Sequence, residues 1–338
     1  MQLPDHLRAA LASELASTPT RDLAAASEAL SSTYRSHHGR NPGRPLTGVL
    51  DARAYAAYRM PATFAALAAS FGEVRARLPN WTPHSLLDVG GGPGTAAWAA
   101  LGVWPDLQRI SVVDREAAMI EIGRALAAQS PSAALRSAEW HRHDMSGTWD
   151  VDPADLTVAG YVLSELGPDA RRTFVRTVWD RTAGTCVIVE PGPPRGYAHV
   201  AEAREVLVLL EAEVVAPVPP SWPCLEHEGD WLHFSERVSR TRLHRTAKSA
   251  ALSYEDEKYC YLAASRLEPR PIVARVVRQP QIRSGHVRLT LCTSAGVQHL
   301  VIPRSRKEAH RIAKDLRWGS AIEVDEAHLF GLDRPATS

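Results

Sequence analysis

Apolar positions within residues 1–80 recur three and four apart, at Leu7, Leu11 and Leu15 and again at Tyr55, Tyr58, Phe64 and Leu67, which is the spacing of one helical face. A stretch containing Gly and Pro at residues 36–45 interrupts them and predicts a loop. From residue 84 the pattern becomes strand, turn, helix. Residues 86–89 form a short apolar run ending in glycines, 95–101 read as helix, and 110–114 form a second strand followed by a helix through residue 129. Further strands are predicted near 134–140, 156–163 and 185–190, with helices at 169–181 and 197–213. Strands alternating with helices predict an α/β fold, a doubly wound and mostly parallel sheet covered on both faces. Residues 214–250, carrying Pro217, Pro219, Pro220 and Pro223, predict an irregular excursion, and 257–266 a late strand rejoining the sheet. Residues 272–277, 285–292 and 297–302 alternate apolar with polar between Pro and Gly, the pattern of a small antiparallel β-module. The expected organisation is a helical N-terminal subdomain (1–80), a central domain (81–267) with its excursion, and a small basic β-rich module (268–338).

Charge adds one feature. The net charge is +1, but residues 265–317 hold 12 Arg or Lys against 3 Asp or Glu, leaving the remainder at −8. Arginine binds phosphate bidentately and stacks on bases, so Arg275, Arg278, Arg283 and Arg288 are candidate RNA contacts, with a second row at Arg304, Arg306, Lys307, Arg311 and Lys314. A solvated basic face is the competing reading. No apolar run is long enough to cross a bilayer, and the first residues carry an early acid without an apolar signal region, so a cytoplasmic location is expected. Cys186, Cys224, Cys260 and Cys292 lie far apart with no CxxC pair and read as thiols rather than staples.

The sharpest motif is Asp88-Val-Gly90-Gly91-Gly92-Pro-Gly94-Thr, a D-x-G-x-G-x-G between a predicted strand and a predicted helix. Glycines remove the Cβ atoms that would keep a ligand from the backbone, and the helix that follows offers free N–H groups and a positive dipole end. The dinucleotide fingerprint G-x-G-x-x-G fails, because Thr95 stands where its third Gly would be. The register instead resembles motif I of class I S-adenosylmethionine-dependent methyltransferases. Asp114 closes the second predicted strand 26 residues after Asp88, where a carboxylate can accept both ribose hydroxyls. Asp144, after the third strand, is where that class often places a residue bonding the adenine amino group, and a solvated loop acid is the equal alternative there. After the fourth strand, Tyr161 and Glu165 are candidates to shape the methionine and acceptor pocket, with capping or core roles as the alternative. The exocyclic-amine motif and a cysteine nucleophile are both missing from that position, so the acceptor atom and the catalytic residues are unspecified.

The chain also resembles a more specific family, the methyltransferase-like proteins of the mitochondrial small ribosomal subunit and their bacterial counterparts. The resemblance is carried by residues 58–64 (Tyr-Arg-Met-Pro-Ala-Thr-Phe), the loop at 88–94, and residues 161–166 (Tyr-Val-Leu-Ser-Glu-Leu) and 189–192 (Val-Glu-Pro-Gly). It continues through 230–237 (Asp-Trp-Leu-His-Phe-Ser-Glu-Arg), 242–245, 254–258 (Tyr-Glu-Asp-Glu-Lys), 278–283 and 289–293. It implies a protein that binds S-adenosylmethionine and acts on the small subunit or its rRNA. Family members further carry four cysteines that hold a 4Fe–4S cluster. Here those positions read Val218, Cys224, Leu232 and Cys292, so two ligands are replaced and no cluster or other metal is expected. Three readings stay open: an rRNA methyltransferase, a non-catalytic subunit assembly factor, and a methyltransferase for a small molecule.

Overall fold

The computed structural model describes residues 1–36, 48–145, 149–223, 230–239 and 254–332. Most of the loop expected at 36–45, and the segment holding Cys224, lie outside the described residues. Eight strands build the central sheet: β1 (Ser85–Val89), β2 (Arg109–Asp114), β3 (Glu139–Arg142), β4 (Ala154–Gly160), β5 (Thr182–Pro191), β6 (Glu213–Ala216), β7 (Phe234–Ser239) and β8 (Tyr254–Ser265). Their order is β3-β2-β1-β4-β5-β8-β6, and β7 also pairs with β8. The first five in that order run parallel, while β8 is antiparallel to β5, β6 and β7. This is the doubly wound, mostly parallel sheet that the sequence predicts. Strand order reverses between β1 and β4, which opens a crevice beyond their carboxyl ends, where α/β sheets take ligands.

Alternation along each strand feeds two cores. Leu86, Val158 and Val187 face a layer formed by α1 (Asp5–Leu15), α3 (Val49–Tyr58), α4 (Met60–Arg77), α5 (Thr95–Val103) and α6 (Ala117–Ala128). Their neighbours Leu87, Ala159 and Ile188 face α8 (Pro168–Asp180) and α9 (Pro194–Leu209). Helix α2 (Thr20–Ser36) packs on α3 in a satellite cluster around Leu23 and Tyr58. Helices α3 and α4 are separated at Arg59, because Pro61, without an N–H, starts a new helix rather than continuing the old one. No helix among the described residues is long and apolar enough to cross a membrane.

Three elements differ from expectation. The stretch near 134–140 is not one strand but a helical turn, α7 (Ala133–Arg136), capped by the Ser132 hydroxyl on Leu135 N (3.5 Å), followed by β3. Two of its three apolar residues, Ala134 and Leu135, are buried from a helix. The excursion after residue 213 is less irregular than its prolines suggest: β6 extends the sheet through Val214 and Ala216, and β7 pairs Phe234 with Tyr259. Helix α9 correspondingly stops at Leu209, leaving residue 213 to β6.

The C-terminal part is an antiparallel sheet of β9 (Ile272–Val276), β10 (Gln281–Ile282), β11 (His286–Thr293), β12 (Gly296–Pro303) and β13 (Ala321–Glu323). Helices α10 (Lys307–Asp315) and α11 (Ala327–Phe330) cover one face of it. Ile272, Val277 and Cys292 join the main core. Arg275 of β9 is fully buried at this junction. It pairs with Glu73 of α4 and donates to the carbonyls of Pro217 (2.7 Å) and Gly319 (2.6 Å). Arg275 is therefore not an RNA contact, which corrects the sequence reading: three acceptors hold its guanidinium inside the protein, where burial keeps a phosphate from reaching it. Removing a buried charge's partner leaves the other uncompensated, at a cost of about 3–5 kcal/mol. We expect Glu73→Ala, which leaves the buried Arg275 guanidinium without its counter-charge, to lower unfolding stability by that amount in denaturant titration. A loss under about 1 kcal/mol would show the pair to be incidental.

Candidate functional site

The glycine loop lies at the switch point. Gly90, Gly92 and Gly94 all have positive φ. Gly91 is required by close packing, since a Cβ there would stand 2.6 Å from Asp88 Cγ and 2.7 Å from Val112 Cγ1. Gly92 is different: the residue is buried, yet at φ +55° no atom lies within 4 Å of its would-be Cβ, so a space is left unfilled beside the loop backbone. Asp114, buried at the end of β2, fixes that turn. Its Oδ2 accepts the Gly92 N–H (2.8 Å) and its Oδ1 the Glu116 N–H (2.8 Å). Burial, opposed by these two bonds, raises its pKa. Asp88 is 2% exposed, takes the Ala96 backbone N–H, and keeps an Oδ2 with no partner among the described residues. Burial first, and Asp114 nearby, push its pKa up to about 7.

Across the crevice, β4 is followed directly by Tyr161, whose φ of +64° is uncommon for a side chain of this size and marks a locally constrained backbone. Its N–H is held by Val189 O (2.7 Å) and its hydroxyl donates to Glu257 Oε1 (3.1 Å). Arg59, at the break between α3 and α4, donates to the same oxygen (3.1 Å), with its guanidinium 5.9 Å from the Tyr161 ring centre. Sequence reasoning missed both Arg59 and Glu257. The one available signal was that each falls in a block shared with the family, 58–64 and 254–258, but nothing in the spacing joins them.

Glu165 follows on a short turn and pairs with Arg115 (3.2 Å), which also holds Glu116 (3.1 Å). Burial raises the Glu165 pKa, and Arg115 opposes the rise. The turn itself is clamped by Glu190 at the end of β5, wholly buried, which accepts the Leu163 N–H (2.8 Å) and the Ser164 hydroxyl. Asp88, Gly90–Gly94, Asp114, Tyr161 and Glu165 thus gather at one sheet edge. Asp144 follows β3 and is exposed.

The remaining candidates lie elsewhere. Arg283 and Arg288 are exposed on the C-terminal sheet, while Arg278 is partly buried and paired with Asp230. Val218 and Leu232, at two of the four cluster positions, are buried among apolar side chains and offer no ligand atom, so the donor set does not fit a 4Fe–4S cluster. Cys186 and Cys260 are free and buried, whereas Cys292 is disulfide-bonded, which corrects its reading as a thiol.

Residues 49–323 match the family described as mitochondrial small ribosomal subunit Rsm22. The chain belongs to the Rsm22 family. The ribosome assembly protein METTL17, mitochondrial, of Homo sapiens is 30% identical over 297 residues, covering 80% of this chain and 62% of that protein. The Rsm22-cox11 tandem protein 2, mitochondrial, of Schizosaccharomyces pombe is 22% identical over 289 residues, covering 71% of this chain and 38% of that protein. The chain spans less than two thirds of either relative. Among solved structures, the magnesium protoporphyrin IX methyltransferase of Synechocystis PCC 6803 with bound SAM aligns with TM-score 0.39 and 13% identity, over 73% of this chain and 97% of that one. The N-methyltransferase NodS of Bradyrhizobium japonicum WM9 with S-adenosyl-L-homocysteine aligns with TM-score 0.36 and 14% identity, over 70% and 97%.

Asp88 gives this Rsm22-family chain a pH signature. A carboxyl whose folded pKa stands above its unfolded value binds more protons when folded, so stability falls as pH rises from about 4 to about 7 and then levels. The loss is on the order of 4 kcal/mol. Asp88→Asn keeps the shape without the charge. Its thermal midpoint should match wild type below pH 4 and exceed it above pH 7, and parallel curves across that window would refute the burial argument.

Proposed function

We propose that the chain is an S-adenosylmethionine-binding, methyltransferase-like protein acting on the small ribosomal subunit, with rRNA as the contacted component. The cofactor half rests chiefly on the unfilled space beside Gly92, which is tied to the buried Asp114 at the point where strand order reverses. Each Asp114 oxygen already accepts one backbone N–H and retains a lone pair, so the carboxylate can also receive two ribose hydroxyls. The unpartnered Asp88 Oδ2 is a further buried acceptor beside the loop, and Asp144 takes the adenine amino group. S-adenosylmethionine, when bound, supplies an electrophilic methyl on a sulfonium. The protein contributes orientation, with Tyr161 and Glu165 bordering the acceptor side. Membership of the Rsm22 family supports the small-subunit half, as do the exposed Arg283, Arg288 and the basic row on α10.

A second reading, a non-catalytic assembly factor, is favoured by one observation. The Tyr161 hydroxyl and the Glu257 carboxylate are both engaged with each other or with Arg59, which leaves neither poised as a base. A map of rRNA methylation in a deletion strain separates the two: a lost methyl group supports the enzyme, and an unchanged map with slowed subunit maturation supports the platform.

Isothermal titration with S-adenosylmethionine tests the cofactor half. Asp114→Ala should weaken binding at least about tenfold, and Gly92→Val should do the same by filling the space beside the loop, while costing about 1–2 kcal/mol of left-handed strain. No heat with wild type, or equal affinity in both variants, removes the claim. The metal reading is tested on protein purified anaerobically, which should be colourless. Stoichiometric iron and sulfide would overturn it.

A further inference from the structure

Strand β11 divides its side chains between two environments. Val287, Leu289 and Leu291 are buried with Ala309 and Ala313 of α10, and the intervening His286, Arg288 and Thr290 stand on the opposite face. Register widens that face on both sides: Gln281 of β10 and Val301 of β12 lie across from Arg288, and His299 lies across from Thr290. Arg278, after β9, and Trp318, before β13, wall one end. The result is an open groove of about 630 Å³ whose wall includes Arg278, Gln281, Arg288, Thr290, His299 and Trp318. Val301 within it is 56% exposed.

Its chemistry narrows the ligand. The wall contains no acid, and the two arginines sit in the segment with 12 basic residues against 3 acidic ones. Asp230 at the rim pairs with Arg278 and leaves Arg288 as the exposed cation. Arg288 Nε donates to His286 Nε2 (3.1 Å), which holds the guanidinium over the sheet. Trp318 is half-buried, has the Arg278 guanidinium 6.0 Å from its ring centre, and is braced edge-on by the His233 ring at 5.0 Å. Gln279, Gln281 and His299 add both donors and acceptors. An acidic peptide or a lipid headgroup would use the cations alone. An unpaired nucleotide uses every part: phosphate on arginine, base on the aromatic ring, base edge on the amides.

We propose that this groove binds unpaired nucleotides of RNA, with a phosphate on Arg288 and a base against Trp318. The proposal rests on the reading of the chain as an rRNA partner and sharpens it, because the basic row on α10 lies on the covered side of the sheet and would track a phosphate backbone without regard to pairing.

Fluorescence anisotropy on the full chain, with a labelled oligouridine of about ten nucleotides and a duplex of about 16 base pairs, tests it. Arg288→Glu and Trp318→Ala should each weaken single-strand binding about tenfold or more and leave duplex binding within about twofold. Arg311→Glu, on α10, should weaken both alike. Because Trp318 packs on His233, the exposed Arg288→Glu is decisive if Trp318→Ala unfolds. Wild-type single-strand affinity in Arg288→Glu, or equal losses on both RNAs, overturns the groove while the rRNA reading stands. Absence of binding to either RNA by wild type at low salt overturns both.

Discussion

One buried carboxylate holds the candidate site in shape. Asp114 ends β2, yet each of its two oxygens accepts one backbone N–H, from the loop after β1 and from the entry to α6, so two successive crossovers are fixed by a single side chain. The cost is visible in its raised pKa and in that of Asp88 beside it. Two acids close together in a dry place are tolerated because the backbone N–H groups of Gly92, Ala96 and Glu116 point at them. Without glycine at 91, the Asp88 side chain would have no room to lie under the loop.

A second tie closes the other side. Arg59 comes from the helical layer, Tyr161 from the end of β4 and Glu257 from β8, and their shared contact joins the N-terminal helices to the sheet edge. Pro61 marks the helix start beside this contact, with Arg59 as the residue between α3 and α4.

What was legible in the sequence follows from range. The glycine loop and Asp114 could be read because both lie at strand ends fixed by local pattern. The Arg59–Glu257 contact could not, because it depends on β8 inserting between β5 and β6, a choice made by tertiary packing. Residues 134–140 misled because a short apolar run fits a strand or one helical turn equally well. The prolines near residue 217 masked β6, whose pairing is made by the residues before them. Arg275 misled for another reason: charge counts do not distinguish an outward side chain from one on a strand buried along its whole length, as β9 is.

Strand β8 runs for 12 residues, and β5 covers only one of its edges. The other is covered in two pieces, β6 toward its end and β7 toward its start. A single long partner would have become the new border of the sheet, a flat row of unpaired amides able to recruit the same strand from another molecule. Two short segments of four and six residues, the longer bearing Glu236 and Arg237 at its middle, present no such row. The divided border thereby acts against edge-to-edge recruitment of a second copy of the sheet.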